Sequence, residues 1–312
     1  MEKIGIKGHN VKQIYRLALL CAWLAIATPF MPGLAFAQAQ KNPWASAGDI
    51  AWGSAGVNGP GTSVKVLLSK ENGMIDNTVR AFYLMKVDPG GTYTVAAAAG
   101  EDRIFFVTVG QGRFTLGDEQ VDARPGDIFG VPAGVKHGLT NAGTDAVELV
   151  VLSSPLEAPN PSAKPRWIRT DDQKWEVNKT HGPGCEEKSG LRGGFSSVIA
   201  GLWLMRVPPH GINYAHTGNY DHQLFYIWAA AAPDPKPRDS RTYGARWLIG
   251  STLMQTKVGD AFYAHGGPTP VLHGTFNESP ETPLIYIAFG VNVPGGRPPS
   301  RSGGGAPPPP GR

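Results

Sequence analysis

The stretch Gly126–Asn141, GDIFGVPAGVKHGLTN, decides the fold of this 312-residue chain. It opens on the turn signal Gly126-Asp127, and the short apolar run that follows ends at a second turn, Pro132-Ala133-Gly134. His137 then starts a new strand, whose two-residue repeat places His137 and Asn141 on one face. The stretch therefore predicts two short strands separated by a tight turn, with a histidine at the start of the second strand.

The chain on either side of this stretch also consists of short strand-like runs. Gly and Pro separate the runs, and no amphipathic helical period appears. The runs are Arg80–Val87, Arg103–Val109, Gly112–Leu116, Ala146–Ser153, Gly201–Val207, Leu224–Trp228, Ala245–Ile249, Met254–Lys257 and Leu284–Phe289. This pattern predicts an all-β protein of the kind that closes into barrels.

The pattern that ends the opening stretch, a histidine followed four residues later by an asparagine, occurs a second time in the chain. His273 and Asn277 repeat the spacing of its histidine and asparagine, and Gly259-Asp260 repeats its opening turn. The histidines are 136 residues apart and the turn glycines 133, so the three-residue difference in length between the two copies falls in the turn. A repeat of this length predicts two copies of one barrel domain.

The opening stretch resembles the second motif of the cupin family, G-x5-P-x-G-x2-H-x3-N. The matching positions are Gly126, Pro132, Gly134, His137 and Asn141. With the repeat, the chain resembles a bicupin, which implies two tandem cupin barrels, also called double-stranded β-helices or jelly rolls. Barrels of this family usually hold a metal at the mouth, through two His and one Glu of a first motif and the His of the second.

We expect five segments along the chain. They are a signal peptide at 1–37, a first cupin domain at 38–154, a linker at 155–190, a second cupin domain at 191–294 and a disordered tail rich in Pro and Gly at 295–312. The basic start, the apolar run Leu17–Thr28 and the small residues Ala35–Ala37 predict cleavage after Ala37 and a periplasmic or secreted protein. The alternative is an uncleaved membrane anchor, although Pro29 and Pro32 interrupt a spanning helix. After cleavage we expect no stable membrane insertion.

The charge balance gives no case for nucleic acid as a partner. The chain has 29 basic and 25 acidic residues, of which residues 1–37 hold four and one, leaving 25 and 24. Cleavage also leaves Cys185 as the sole cysteine, which excludes an intramolecular disulfide.

The first half has lost the residues of the metal motif. At the positions of the two His and the Glu stand Ala97, Ala99 and Arg103, and a guanidinium repels a metal cation. We interpret His137 as a histidine hydrogen-bonded inside the barrel. The alternative is a pocket in which Arg103 and His137 hold an anionic ligand by charge-assisted hydrogen bonds.

The second half keeps part of the metal motif. The resemblance places His216, Gly218 and Gln223 at the first-motif positions, so with His273 the expected metal ligands are His216, Gln223 and His273. Asn219 and His222 are alternatives for the ligand lost at Gly218. His222 adjoins Gln223 on a strand and points the other way, so it replaces Gln223 only if the register shifts by one residue.

Two more residues of the second half are candidates for catalysis. His265 lies where the family has its turn proline, and Tyr263 precedes it by two residues. The alternative to a catalytic role is that His265 is an exposed loop residue and that Tyr263 packs within a strand.

We therefore expect an exported cupin that binds one divalent transition metal (Fe, Mn, Ni, Cu or Zn) in its second barrel. The resemblance implies a small organic acid or a sugar-like molecule as the substrate, and a reaction of the dioxygenase, decarboxylase, lyase or isomerase type. The alternative is a non-catalytic bicupin that binds a small molecule in one barrel and uses the other for assembly into a homo-oligomer.

Overall fold

The computed structural model of the protein describes residues 44–54, 59–72, 78–95, 100–156, 160–231, 244–266 and 270–293. The predicted signal peptide and tail lie outside these residues, as do Ala97 and Ala99, so export remains a prediction. None of the described residues forms a helix long and apolar enough to cross a membrane. The described helices are the short 3-10 turns Ala47–Asp49, Lys70–Asn72 and Thr170–Asp172.

The rest of the described structure is built from β-strands, which confirms the predicted all-β class. Through the first half they are β1 (Trp44–Ser46), β2 (Thr62–Ser69), β3 (Ala81–Val87), β4 (Thr92–Val95), β5 (Glu101–Val109), β6 (Gly112–Leu116), β7 (Glu119–Ala123), β8 (Asp127–Val131), β9 (His137–Thr140) and β10 (Val147–Pro155). The others are β11 (Arg166–Arg169), β12 (Glu176–Val177), β13 (Glu186–Arg192), β14 (Ile199–Val207), β15 (Ile212–His216), β16 (His222–Ala229), β17 (Ala245–Ile249), β18 (Thr252–Thr256), β19 (Asp260–His265), β20 (His273–Asn277) and β21 (Leu284–Val291).

Each half of the chain forms one large and one small antiparallel sheet. The first barrel has the strand orders β11-β8-β5-β10-β3-β2 and β4-β9-β6-β7. The second barrel has the orders β1-β19-β16-β21-β14-β13-β12 and β15-β20-β17-β18. The two halves therefore repeat one topology, as the offset between their motifs predicts.

The two barrels exchange their edge strands. β1 precedes the first barrel but pairs with β19 of the second, whereas β11 precedes the strands of the second barrel but pairs with β8 of the first. An ion pair supports the second contact, because Arg169 donates to both carboxylate oxygens of the buried Asp127, at 3.0 and 3.1 Å. The segment 155–190, predicted as a linker, thus contains β11, β12 and part of β13, and takes part in both large sheets.

Three apolar clusters follow from the alternation of side chains along the strands. One fills the first barrel around Phe105, Phe114 and Phe129, and one fills the second around Phe225 and Trp247. The third cluster, here called the seam, packs the outer faces of the two large sheets against each other. Its members from both halves include Phe82, Leu84, Phe106, Leu204, Leu224 and Phe289. A buried apolar residue on a large sheet therefore faces either a barrel interior or the seam.

Candidate functional site

In the first barrel, Arg103 and His137 lie in direct contact. The Nδ1–H of His137 donates to the carbonyl of Val135 at 2.9 Å, so its Nε2 is the acceptor. Arg103 Nη1 lies 3.1 Å from that Nε2 and donates to the hydroxyl of Tyr93 at 2.7 Å. The lone pair that a metal would need on His137 is therefore engaged by a guanidinium.

The charges around Arg103 fit an anion better than a cation. Glu101 accepts a short hydrogen bond from Arg103 and is also paired with Arg80 at 3.0 Å, so one carboxylate faces two guanidinium groups. Burial, helped by the adjacent Arg103 cation, lowers the pKa of His137 to about 4, which keeps this imidazole neutral. These described residues do not fit a metal ion.

In the second barrel, His216 and His273 face each other across β15 and β20, where they form a cross-strand pair. Their ring centroids are 4.4 Å apart, and His273 also contacts the ring of Phe225 at 4.8 Å. Burial lowers the pKa of both residues, that of His273 to about 3. At neutral pH both imidazoles are uncharged, which is the form that binds a metal.

Gln223 points into the second barrel and occupies space beside Gly218. It is 6% exposed, and it stands opposite Ala264 as Arg103 stands opposite Val131 in the first barrel. A Cβ on Gly218 would lie 1.5 Å from Gln223 Oε1. In this conformation the Gln223 amide occupies the space in front of the position of the lost histidine. Asn219, the other expected replacement, is exposed.

On the large sheet, the side chains of His222, Tyr263 and His265 share the face that is turned towards the seam, whereas His216 and His273 lie on the small sheet. Nδ1 of His222 lies 2.6 Å from the hydroxyl of Tyr263, and the rings of His222 and His265 are 5.5 Å apart. Tyr263 belongs to the seam, whereas Phe262 beside it belongs to the barrel interior. The strand pleat therefore turns His222, Tyr263 and His265 away from the barrel interior, where His273 contacts Phe225.

A third histidine joins the pair, and sequence reasoning missed it. The ring centroid of His181 lies 4.7 Å from that of His216, nearly perpendicular to it. His181 belongs to the loop between β12 and β13, inside the segment predicted as a linker, and no cupin motif includes it. Burial, with a smaller effect of His216, lowers its pKa to about 4. In the sequence, His181 is marked only by being one of the histidines of the chain.

The donor set of these three histidines fits a transition metal in kind. Zn, Cu, Fe and Ni accept neutral imidazoles as ligands. Within the part of the chain that the structure describes, no group of three or more His, Cys, Asp or Glu side chains already has the arrangement that a metal ion requires. His181 contacts His216, and His216 contacts His273, so the three rings form a row. Metal binding requires the rings to rotate towards a common point.

A row of polar atoms lies next to the histidine pair on the same sheet. Asn213, Thr275 and Trp247 stand directly opposite one another on β15, β20 and β17. Asn213 Oδ1, Thr275 Oγ1 and Trp247 Nε1 are buried without a hydrogen-bond partner among the described residues. Buried polar atoms of this kind are costly unless a ligand or water satisfies them, so the row is a candidate for holding substrate oxygen atoms.

Comparison with known proteins agrees with this architecture. Residues 83–153 match the family model described as Cupin domain. The chain is 30% identical over 86 residues to the oxalate-binding protein of Thermotoga maritima, an alignment that covers 28% of this chain and 69% of the relative.

Solved structures extend the likeness to both barrels. A putative glyoxylate induced protein from Pseudomonas aeruginosa aligns with a TM-score of 0.60 at 11% identity, covering 77% of this chain and 84% of its own. A mutant of the oxalate decarboxylase of Bacillus subtilis aligns with a TM-score of 0.58 at 16% identity, covering 80% and 77%. At these identities the structures show the shared fold.

Proposed function

Because this chain belongs to the cupin superfamily and folds as a bicupin, we propose that its second barrel binds one transition metal and acts with it on a small organic acid. One observation carries the proposal: His216 and His273 are paired, neutral imidazoles, and His273 contacts the Phe225 ring inside a cupin barrel. The names of the oxalate-binding relative and of oxalate decarboxylase support a carboxylic acid as the ligand class.

The residues of the second barrel have distinct parts in this function. His216 and His273 would hold the metal, and a bound metal would act as a Lewis acid on substrate oxygen atoms. The His216 Nδ1–H donates to the carbonyl of Tyr214 at 2.7 Å, which fixes its tautomer and leaves Nε2 as the donor to a metal. Trp247 Nε1 and Thr275 Oγ1 would orient the substrate by hydrogen bonds, and the surrounding aromatic rings would exclude water.

Metal analysis of the purified protein tests this function. We expect about one transition metal per chain in the wild type. We expect more than about 100-fold weaker binding in His216→Ala and His273→Ala, because each substitution removes a ligand, and outer-shell losses alone already cost 10- to 100-fold. His137→Ala, in the first barrel, should keep the metal. Full occupancy in the double variant would contradict the assignment to the second barrel.

A second candidate function is the binding of a small carboxylate in the first barrel without catalysis. The contact of Arg103 with Tyr93 and His137 favours it, because a partly buried guanidinium with hydroxyl and imidazole neighbours suits a carboxylate. In calorimetric titrations of chelator-treated protein with oxalate, we expect Arg103→Met to weaken binding by about 10-fold or more. Arg113→Met, which removes an exposed guanidinium paired with Asp122, is the matched control. Equal oxalate affinity in the Arg103 variant would contradict the candidate.

A further inference from the structure

We propose that His181, from the loop between β12 and β13, is the third imidazole ligand of the metal in the second barrel. The inference rests on the proposed function, and it adds a ligand from outside the cupin motifs. It also gives the segment between the two barrels a part in the site. Two observations carry it: the Gln223 amide occupies the space in front of the lost motif position, and His181 contacts the remaining pair from another element.

The first observation concerns the lost ligand. Gly218 stands where the family motif has its second histidine, and the Gln223 amide fills the space in front of it. Asn219 next to Gly218 is exposed, and His222 lies beside Tyr263 on the seam side of the large sheet. The described residues around the motif therefore offer no third imidazole, so a complete three-histidine site needs a donor from elsewhere.

The second observation is how firmly the His181 loop is attached to β15. The carbonyl of His181 accepts a hydrogen bond from the backbone N–H of Tyr214 at 2.8 Å. The buried thiol of Cys185 donates to the carbonyl of Ile212 at 3.3 Å. Between them, Gly182 has φ +126°, and a Cβ there would lie 2.2 Å from the Ile212 carbonyl oxygen. The glycine lets the loop run closely along β15 and presents His181 to His216, two residues beyond Tyr214.

The resulting set has a chemical consequence. The rings of His181, His216 and His273 follow one another at centroid distances of 4.7 and 4.4 Å. Three imidazoles without a carboxylate favour Cu, Zn, Fe or Ni over Mn, which prefers oxygen ligands. Three protein ligands also leave an open coordination position for a substrate oxygen atom. Rotation about its own side-chain bonds can turn the His181 ring towards the pair while the backbone stays attached to β15.

Copper is a suitable probe, because the magnetic resonance spectrum of bound Cu(II) reports the number of coordinated imidazole nitrogens. Chelator-treated full-length protein would be reloaded with one equivalent of Cu(II), and its affinity measured by competition with a chelator. We expect three coordinated imidazoles in the wild type and two in His181→Ala, with affinity lower by roughly 100-fold. Gly182→Ala, which keeps all three histidines but displaces the loop, should weaken binding by a smaller factor.

His265→Ala is the matched control, because it removes an imidazole from the seam side of the same barrel; its copper spectrum should match that of the wild type. A wild-type protein that binds no metal would overturn the proposed function and this inference together. A wild type that binds copper, with His181→Ala unchanged in affinity and in coordinated nitrogens, would overturn the role of His181 alone. Circular dichroism would confirm that each variant is folded.

Discussion

Replacing Phe82 with alanine is expected to lower the free energy of unfolding by about 3–5 kcal/mol, the range for large-to-small changes in a packed core. The Phe82 side chain is fully buried in the seam. Its ring meets Phe289 of the second barrel edge to face, with centroids 5.1 Å apart. The substitution leaves a cavity between the large sheets of the two barrels. β11 is an edge strand of the first of these sheets and β1 of the second, so the exchanged strands tie the two barrels together. Neither sheet can therefore move freely to fill the cavity.

Urea denaturation followed by tryptophan fluorescence measures this loss. The matched control is Val109→Ala on β5, because the Val109 side chain is 51% exposed and its removal should change the unfolding free energy by less than about 0.5 kcal/mol. A loss below about 1 kcal/mol for Phe82→Ala would show that the seam does not stabilise the pair of barrels.

Metal-free protein is expected to lose stability steeply as the pH falls from about 6.5 towards 4. In the unfolded chain each histidine takes up a proton near pH 6.5. In the folded protein burial lowers the pKa of His137 and of His181 to about 4 and that of His273 to about 3. The unfolded state therefore binds more protons in this window, and each such histidine lowers the stability by about 1.4 kcal/mol per pH unit of acidification. Above pH 7 this contribution to the slope vanishes.

Denaturation at several pH values, in the presence of a metal chelator, tests this slope. His137→Gln should flatten it by about 1.4 kcal/mol per pH unit between pH 6 and 4.5, because one suppressed protonation is removed. Tyr93→Phe is the control in the same cluster: it deletes a hydroxyl that touches Arg103 and His137, but no imidazole. A wild-type stability that is flat over this range would show that these histidines are protonated in the folded state.

Much of the fold follows from local patterns in the sequence. Gly112–Leu116 and Ala245–Ile249 are strands with the predicted bounds, and the other predicted runs differ from strands mainly at their ends. Turn residues and two-residue alternation act over a few positions, and that is enough to mark strands and the faces of their side chains. The same alternation explains why Gln223 points into the barrel and His222 away from it.

The candidate site could be predicted only where a motif marks it. His216 and His273 occupy motif positions, and the structure brings their rings together. Tyr263 and His265 were expected near them, but the pleat of β19 turns both towards the seam. His181 has no motif, since its place depends on how a loop lies along β15.

By itself, the sequence determined that the chain repeats one cupin barrel and that Arg103 replaces a metal ligand in the first copy, because both are carried by residue type at short spacing. Only the tertiary structure decided which strands complete each sheet, which side of a sheet faces the seam, and that His181 meets His216. Those contacts join residues far apart in the chain, and they depend on packing between elements that no local pattern specifies.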